Sequence, residues 1–333
     1  MTSRVWLWTP WVLFALIVLG WVGYWHIVAT QAEGRLRVWA SEQNASGAQV
    51  EIGGVVRHGF PVLMRLEIRD FSYAPARGGW RATTPALDLN VEMLQPSHVI
   101  FAARRPIALS RADGALTNIA ARKLIVSVRM RGAALAQAGI EGDDVTLDDP
   151  SKEGVLTARK IVANLRPDPR QAGDYQLAFD AADLALPRPV RSFETFGLNV
   201  PAMRAAVVVT HASALMQASQ NDPLGPWREA GGRVRFEGLA LNWGPLETTG
   251  TGEGGLDEQH RLQGRLVIPV RRPAPVLNAI AGSERVDQSA RRALQLLAAG
   301  YLVSGDEITL DVNADDGVMR VEGLPVRMLP PVY

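Results

Sequence analysis

The residues that could carry chemistry are few, and their settings argue against most of it. Glu141, Asp143, Asp144, Asp148, Asp149 and Glu153 crowd the stretch EGDDVTLDDPSKEG. Paired carboxylates share acid–base work or hold a metal only where they converge in space. Among turn formers they read as a solvated loop that breaks strand edges. GTGEGG, Gly250 to Gly255, matches the G-x-G-x-x-G phosphate fingerprint, which needs a helix end to supply amide donors. The following LDEQHRLQGRL reads as turn and strand, so a glycine-rich bend is expected. DVNADDGVMRVE places Asp311, Asn313, Asp315 and Glu322 at the first, third, fifth and twelfth positions of a calcium loop. Asp316 stands where that loop needs glycine, and strand-like runs flank it, so a hairpin tip is the better reading. His26, His58, His98, His211 and His260 are dispersed, with no H-E-x-x-H pair, G-x-S-x-G elbow or Ser-x-x-Lys pair. No catalytic residue, metal ligand or cofactor is assigned on these grounds, and the expectation is a protein that is not an enzyme.

Bulk composition narrows the partners. Lys and Arg total 35 against 34 Asp and Glu. Nucleic-acid binders draw their affinity from a basic surplus or stripe, which is missing here, so a nucleic-acid partner is not expected. With no cysteine, disulfides, thiolate catalysis and Cys-ligated metals are excluded, and an oxidising compartment is tolerated.

The elements that would position any site begin with a membrane segment. Between Val5 and Ala32 there is no Asp, Glu, Lys or Arg, and VWLWTPWVLFALIVLGWVGYWHIV covers Val5 to Val28, enough for the roughly 20 residues of a bilayer crossing. Trp6, Trp8 and Trp11 mark one end and Trp21, Tyr24 and Trp25 the other, as interfacial aromatic belts do. Pro10 falls in the first turns, where a missing amide hydrogen costs least. The long run with a bulky end favours an uncleaved signal anchor over a cleaved signal peptide. Residues 1–30 are therefore expected to form the anchor with a short cytoplasmic leader. Arg4 before the span and Arg35 and Arg37 after it nearly balance; the short leader and large following part place the main domain in the periplasm, on a single-pass inner-membrane protein. Ala32, Leu36 and Trp39 at helical spacing continue the helix as an amphipathic stalk over 31–47, with Gly47 as its stop. Asn44-Ala45-Ser46 fits a glycosylation sequon.

Beyond Gly47 the period changes to two. Val62, Met64, Leu66 and Ile68 share one face and Arg65, Glu67 and Arg69 the other; Leu87, Leu89, Val91 and Met93 alternate likewise with Asp88, Asn90 and Glu92. Similar runs recur to the end, and ARKLIVS from Ala121 is echoed by ARKIVAN from Ala158. One-sided alternation favours antiparallel pairing. The expected fold is mainly β, a long curved antiparallel sheet, groove or sandwich-like, over residues 48–333, with two halves meeting near 185–200. An amphipathic helical element is expected at about 275–301, its stripe formed by Leu277, Ile280, Ala290, Ala293, Leu294, Leu297 and Tyr301, broken at Gly282, with Arg285, Arg291 and Arg292 outward. The two apolar rows face either a closed core or a lipid acyl chain. The first outcome suits a structural or interaction module among other envelope proteins; the second suits a lipid-holding factor whose partner is membrane lipid. A periplasmic hydrolase is the remaining alternative.

Four stretches carry a resemblance: Gly59-Phe60-Pro61 after His58, WREAGGRV from Trp227, Trp243-Gly244-Pro245-Leu246 within LALNWGPLETTGTGEGGLD, and the closing VEGLPVRMLPPV. Together they resemble a Gram-negative, membrane-anchored family of unknown function, number 2125, over nearly the whole chain. That resemblance implies no catalytic residue. More distantly, the anchored chain of amphipathic strands is similar to the AsmA-like envelope proteins, which implies a long β-groove with an apolar interior that accommodates lipid chains.

Overall fold

A computed structural model describes residues 3–61, 63–92, 95–132, 134–151, 153–217, 222–284, 286–304 and 307–333. Val62, Met93 and Arg285 lie outside the described residues, as do the side chains of Trp6 and Trp8. The chain divides into two compact units, residues 1–134 with 147–151 and residues 135–146 with 152–333. Both are mainly β, and all strand pairings with an assigned register are antiparallel.

Unit 1 opens with α1 (Ser3–Ala45), 43 residues without interruption. At about 1.5 Å per residue it is about 65 Å long, roughly twice the hydrocarbon thickness of a bilayer. It is long and apolar enough to cross a membrane, consistent with a single-pass anchor. Anchor and stalk are one helix. Asn44 ends it by acting as a peptide mimic: its side-chain amide donates to the Val50 carbonyl (3.1 Å) and its oxygen accepts from the Val50 N–H (2.7 Å). The sequon asparagine is thus a hinge pin between helix and sheet.

Seven strands follow: β1 (Gln49–His58), β2 (Met64–Ala74), β3 (Trp80–Glu92), β4 (Gln95–Ala103), β5 (Ile107–Arg111), β6 (Leu116–Ala120) and β7 (Lys123–Arg131). The alternating run through Met64, Leu66 and Ile68 forms the second strand, because β1 precedes it and pairs with it from Gln49↔Ala74 to His58↔Arg65. Gly53-Gly54 interrupts the alternation of β1 and hid it. Gly53 is required by crowding, since a Cβ there would lie 2.9 Å from that of Asp70. Gly59, Phe60 and Pro61 are therefore a hairpin corner. Gly59 takes φ +93° and accepts a 2.9 Å hydrogen bond from Leu63 N–H.

The acidic stretch is not a loop. Glu141 to Asp148 belong to β8 (Ala134–Asp148), where Val145 is buried. Asp149 then makes the turn, accepting from the Ser151 backbone and hydroxyl.

Unit 2 is a meander of β9 (Val155–Pro167), β10 (Tyr175–Ala185), β11 (Asn199–Val209), the short α2 (Gly225–Glu229), β12 (Val234–Trp243), β13 (Leu246–Leu256) and β14 (Leu262–Val270), then α3 (Pro273–Ala281) and α4 (Gln288–Ser304), and finally β15 (Ile308–Asp315), β16 (Val318–Val321) and β17 (Leu324–Met328). Residues 185–200 do not separate halves. They form a loop inside the hairpin that pairs Tyr175↔Val209 through Ala185↔Asn199. α3 and α4 interrupt the β14–β15 hairpin and bring Leu277 and Leu294 onto Val270, Leu310, Val321 and Val326. The break at Gly282 is where the sequence places it, but Arg291 does not face outward: it is half-buried and donates to the carbonyls of Ser283 (3.3 Å) and Val286 (3.4 Å) in the turn between α3 and α4. GTGEGG is strand interior within β13 rather than a bend. DVNADDG forms the β15–β16 hairpin, with Asp316 and Gly317 at positive φ.

Candidate functional site

The predicted apolar rows stand on one face of β2, β3 and β4. Register aligns Met64 with Val91 and Val99, Leu66 with Leu89 and Phe101, and Ile68 with Leu87. Met64, Leu66 and Ile68 are each 0% exposed, and Leu89 and Val91 are buried, whereas Leu87, Val99 and Phe101 are half-buried. The cover over β2 is the second half of α1. Trp25, Val28, Ala29 and Leu36 are buried against this face. Trp25, Val28 and Ala29 stand at i, i+3 and i+4, and the partly buried Ala32 and then Leu36 continue the same helical stripe. Strands lie about 4.8 Å apart, so β4 is about 10 Å from β2, at the edge of what a single helix of about 10 Å diameter can cover. Burial therefore fades from β2 towards β4.

Where the cover fades, a slot of about 440 Å³ opens between helix and sheet. Ile68, Phe71, Leu87, Leu89, Val91, Val99 and Phe101 form its floor, and Tyr24, Ile27, Val28, Ala32, Leu36 and Trp39 its helical wall. Gln31 and Arg35 add the polar groups, and Arg35 makes no ion pair among the described residues. The helix is pinned above and below. Trp21 and Trp25 donate their indole N–H groups to the carbonyls of Pro61 (2.7 Å) and Leu63 (3.3 Å). Glu33 accepts from both Arg57 (2.7 Å) and Arg37 (2.8 Å). Trp39 stacks on Tyr73 with ring centres 6.2 Å apart, so it faces the domain. Apolar walls of this size suit a hydrocarbon chain, since they offer little to a polar solute that would lose its water on entry.

The charged lower face of the same strands is tied down. Asp88 is buried beneath Arg65 (3.6 Å) and Arg104. The five histidines serve separate local contacts: His26 edge-on to Trp25 (5.2 Å), His58 with Glu67 (3.2 Å), His98 with Glu92 (3.0 Å), His211 through its backbone N–H to Asp174 (2.8 Å), and His260 stacked on Tyr333. Among the described residues no group of three or more His, Asp or Glu side chains is placed to hold a metal ion. At the β9–β10 turn, hydrogen bonds from the Arg170 side chain and backbone hold the Asp168 carboxyl down at about 2.

Unit 2 contains a second apolar cavity of about 550 Å³. One row crosses five of its strands, Val234, Gly254, Gly264, Ala314 and Met319, and the small residues in the middle make room for the cavity. Trp227 on α2 walls it, its indole donating to the Thr210 carbonyl (2.7 Å). The remaining motif residues do structural work. Trp243, Gly244, Pro245 and Leu246 make the β12–β13 turn, with Trp243 stacked on Phe193 at 5.6 Å and bonded to the Gly197 carbonyl at 3.0 Å. Gly244 has φ +54°, and a Cβ there would sit 2.5 Å from the Phe196 carbonyl oxygen.

Of the slot's floor the sequence reveals Ile68, Leu87, Leu89 and Val91, and of its wall only a part. Ala32, Leu36 and Trp39 stand out by their spacing, but Tyr24, Ile27 and Val28 do not, because inside an apolar run every position is hydrophobic and the face towards a sheet has no contrast. Val99 and Phe101 were missed because SHVIFAA has no alternation of polar and apolar residues.

Comparison with curated proteins and with solved structures gives no match. Residues 25–330, from the middle of the helical stripe to β17 and just beyond, match the model of the family of unknown function 2125, described as an uncharacterized protein conserved in bacteria, and the chain belongs to that family.

Proposed function

We propose that this is a non-enzymatic, single-pass inner-membrane protein whose periplasmic unit 1 takes a lipid acyl chain from the bilayer into the slot beside α1. The observation that carries the reading is the position of the slot on the anchor itself. Tyr24, Ile27 and Val28 line it and also belong to the last turns of the apolar run, so the slot begins at the membrane surface. A chain leaving the bilayer there would slide along the same helix without crossing water, which removes the main cost of extraction, about 0.8 kcal/mol per exposed CH₂. Arg35, about two turns beyond Val28 on the same helix, offers a cation to an acidic headgroup. A lipid-holding role needs no general acid, base or metal, and the absence of cysteine suits an oxidising compartment.

The complete burial of Met64, Leu66 and Ile68 favours the closed-core alternative for that row alone. The lipid contact belongs to Leu87, Leu89, Val91, Val99 and Phe101. The full chain, released gently from membranes and weighed intact, should carry one acyl lipid. Val99→Trp, which fills the slot with an apolar ring, should abolish that added mass while leaving the fold in place. Wild-type protein without lipid, or undiminished lipid on Val99→Trp, would overturn the reading.

A further inference from the structure

We infer that the corner between β1 and β2, through Phe60 and Leu63, is a second membrane contact, seating these two side chains in the bilayer interface beside the anchor. This rests on the membrane span alone and is independent of what the slot holds. Trp21 and Tyr24 end the apolar run of α1 at the level where aromatic side chains meet lipid headgroups, and Trp25, buried against the sheet, completes that belt on the protein side. Two indole N–H groups of that belt are bonded to the corner's own carbonyls, at Pro61 and Leu63, and the Phe60 ring meets Trp25 edge-on at 5.6 Å. Whatever depth the belt takes, the corner takes with it.

The corner is built for that depth. Hairpin corners in water are ordinarily polar, yet Phe60 is 53% exposed and Leu63 39%. Backbone polar groups resist leaving water unless they are paired. Here Leu63 N–H is given to the Gly59 carbonyl, the Pro61 and Leu63 carbonyls are taken by the indoles, and Pro61 has no N–H to lose. The water side is marked on the same helix: Glu33, paired with Arg57 and Arg37, lies eight residues beyond Trp25, about 12 Å along the axis. The corner thus points from an ion-paired level towards the bilayer, and a lipid interface rather than a protein surface is the partner that continues the belt.

The cysteine-free chain allows a single nitroxide label at Phe60→Cys or, as a second site, Leu63→Cys, in the full chain embedded in nanodiscs of phosphatidylethanolamine and phosphatidylglycerol. Arg77→Cys, in the turn between β2 and β3, serves as the aqueous reference. Labels at 60 and 63 should collide with dissolved oxygen several-fold more, relative to a water-soluble nickel chelate, than the label at 77. Both exposed positions tolerate replacement because neither belongs to the buried core. Equal ratios at all three positions would overturn the inference, as would labels at 60 and 63 that neither reagent reaches. In a chain that also carries Val99→Trp the label at 60 should remain lipid-accessible, so failure of the slot and failure of the corner are told apart.

Discussion

The two units solve one problem in different ways. Each has an antiparallel sheet with an apolar face, and each covers that face with helix. In unit 2 the cover comes from α3 and α4, inserted between two strands that still pair with each other from Gly264↔Ala314 to Val270↔Ile308, so its core around Leu277 and Leu294 is local and self-contained. In unit 1 the cover is α1, and the residues that close the core, Trp25, Val28 and Ala29, come from the end of the apolar run. Folding of unit 1 is thereby coupled to the apolar helix, and the place where the cover is incomplete opens beside the end of its apolar run.

That contrast breaks most directly if the anchor is shortened. A chain starting at residue 31 loses Trp25, Val28 and Ala29 from the core, at a cost of roughly 4–6 kcal/mol. Hydrogen exchange should show the amides of β2 and β3 losing protection while those of β10 to β15 keep theirs; equal loss in both units would mean the cores are not separate. Next in size, Leu66→Ala and Leu277→Ala should each cost about 2–5 kcal/mol, the first read by exchange in β2–β3 and the second in β14–β15.

Smaller effects sharpen the comparison at the two hairpin corners. A Cβ on Gly59 would meet the Leu63 carbonyl oxygen at 2.2 Å, much as one on Gly244 would meet that of Phe196. Alanine at either position should cost about 1–3 kcal/mol, seen as a lower chemical midpoint with unchanged slope. Asn44→Ala, which removes both bonds to Val50, should cost about 1–3 kcal/mol and loosen β1 before the other strands.

The gentlest perturbation is acid. The Asp168 carboxyl is held at about 2, below its ordinary 3.8, by Arg170. A depressed carboxylate adds stability that is complete above the unfolded value and is lost as pH falls from about 4 to about 2. Asp168→Asn should flatten that limb of the unit 2 stability curve and leave unit 1 unchanged.

Much of this arrangement is legible in the sequence wherever a polar neighbour supplies contrast. Arg65, Glu67 and Arg69 reveal the face of β2, and the stripe through Leu277 and Leu294 reveals the covering helices with their break at Gly282. Legibility fails where contrast is missing. Gly53-Gly54 hides β1, and the acids of β8 read as loop because charged residues in a half-buried strand look the same in sequence as charges in a turn. What covers the β2 row is illegible for a third reason. The partner lies on a helix already explained by the membrane, and hydropathy alone does not distinguish a face that meets lipid from one that meets a sheet.

The central claim, an acyl chain held between α1 and β4, is tested most directly by a photoreactive benzoylphenylalanine placed at Phe101, which lines the slot, and separately at Ile100, its neighbour on the opposite face of the strand. On irradiation of the full chain in its membrane, the account predicts a lipid adduct at 101 and none at 100. Adducts of equal yield at both positions, or none at 101, would contradict it.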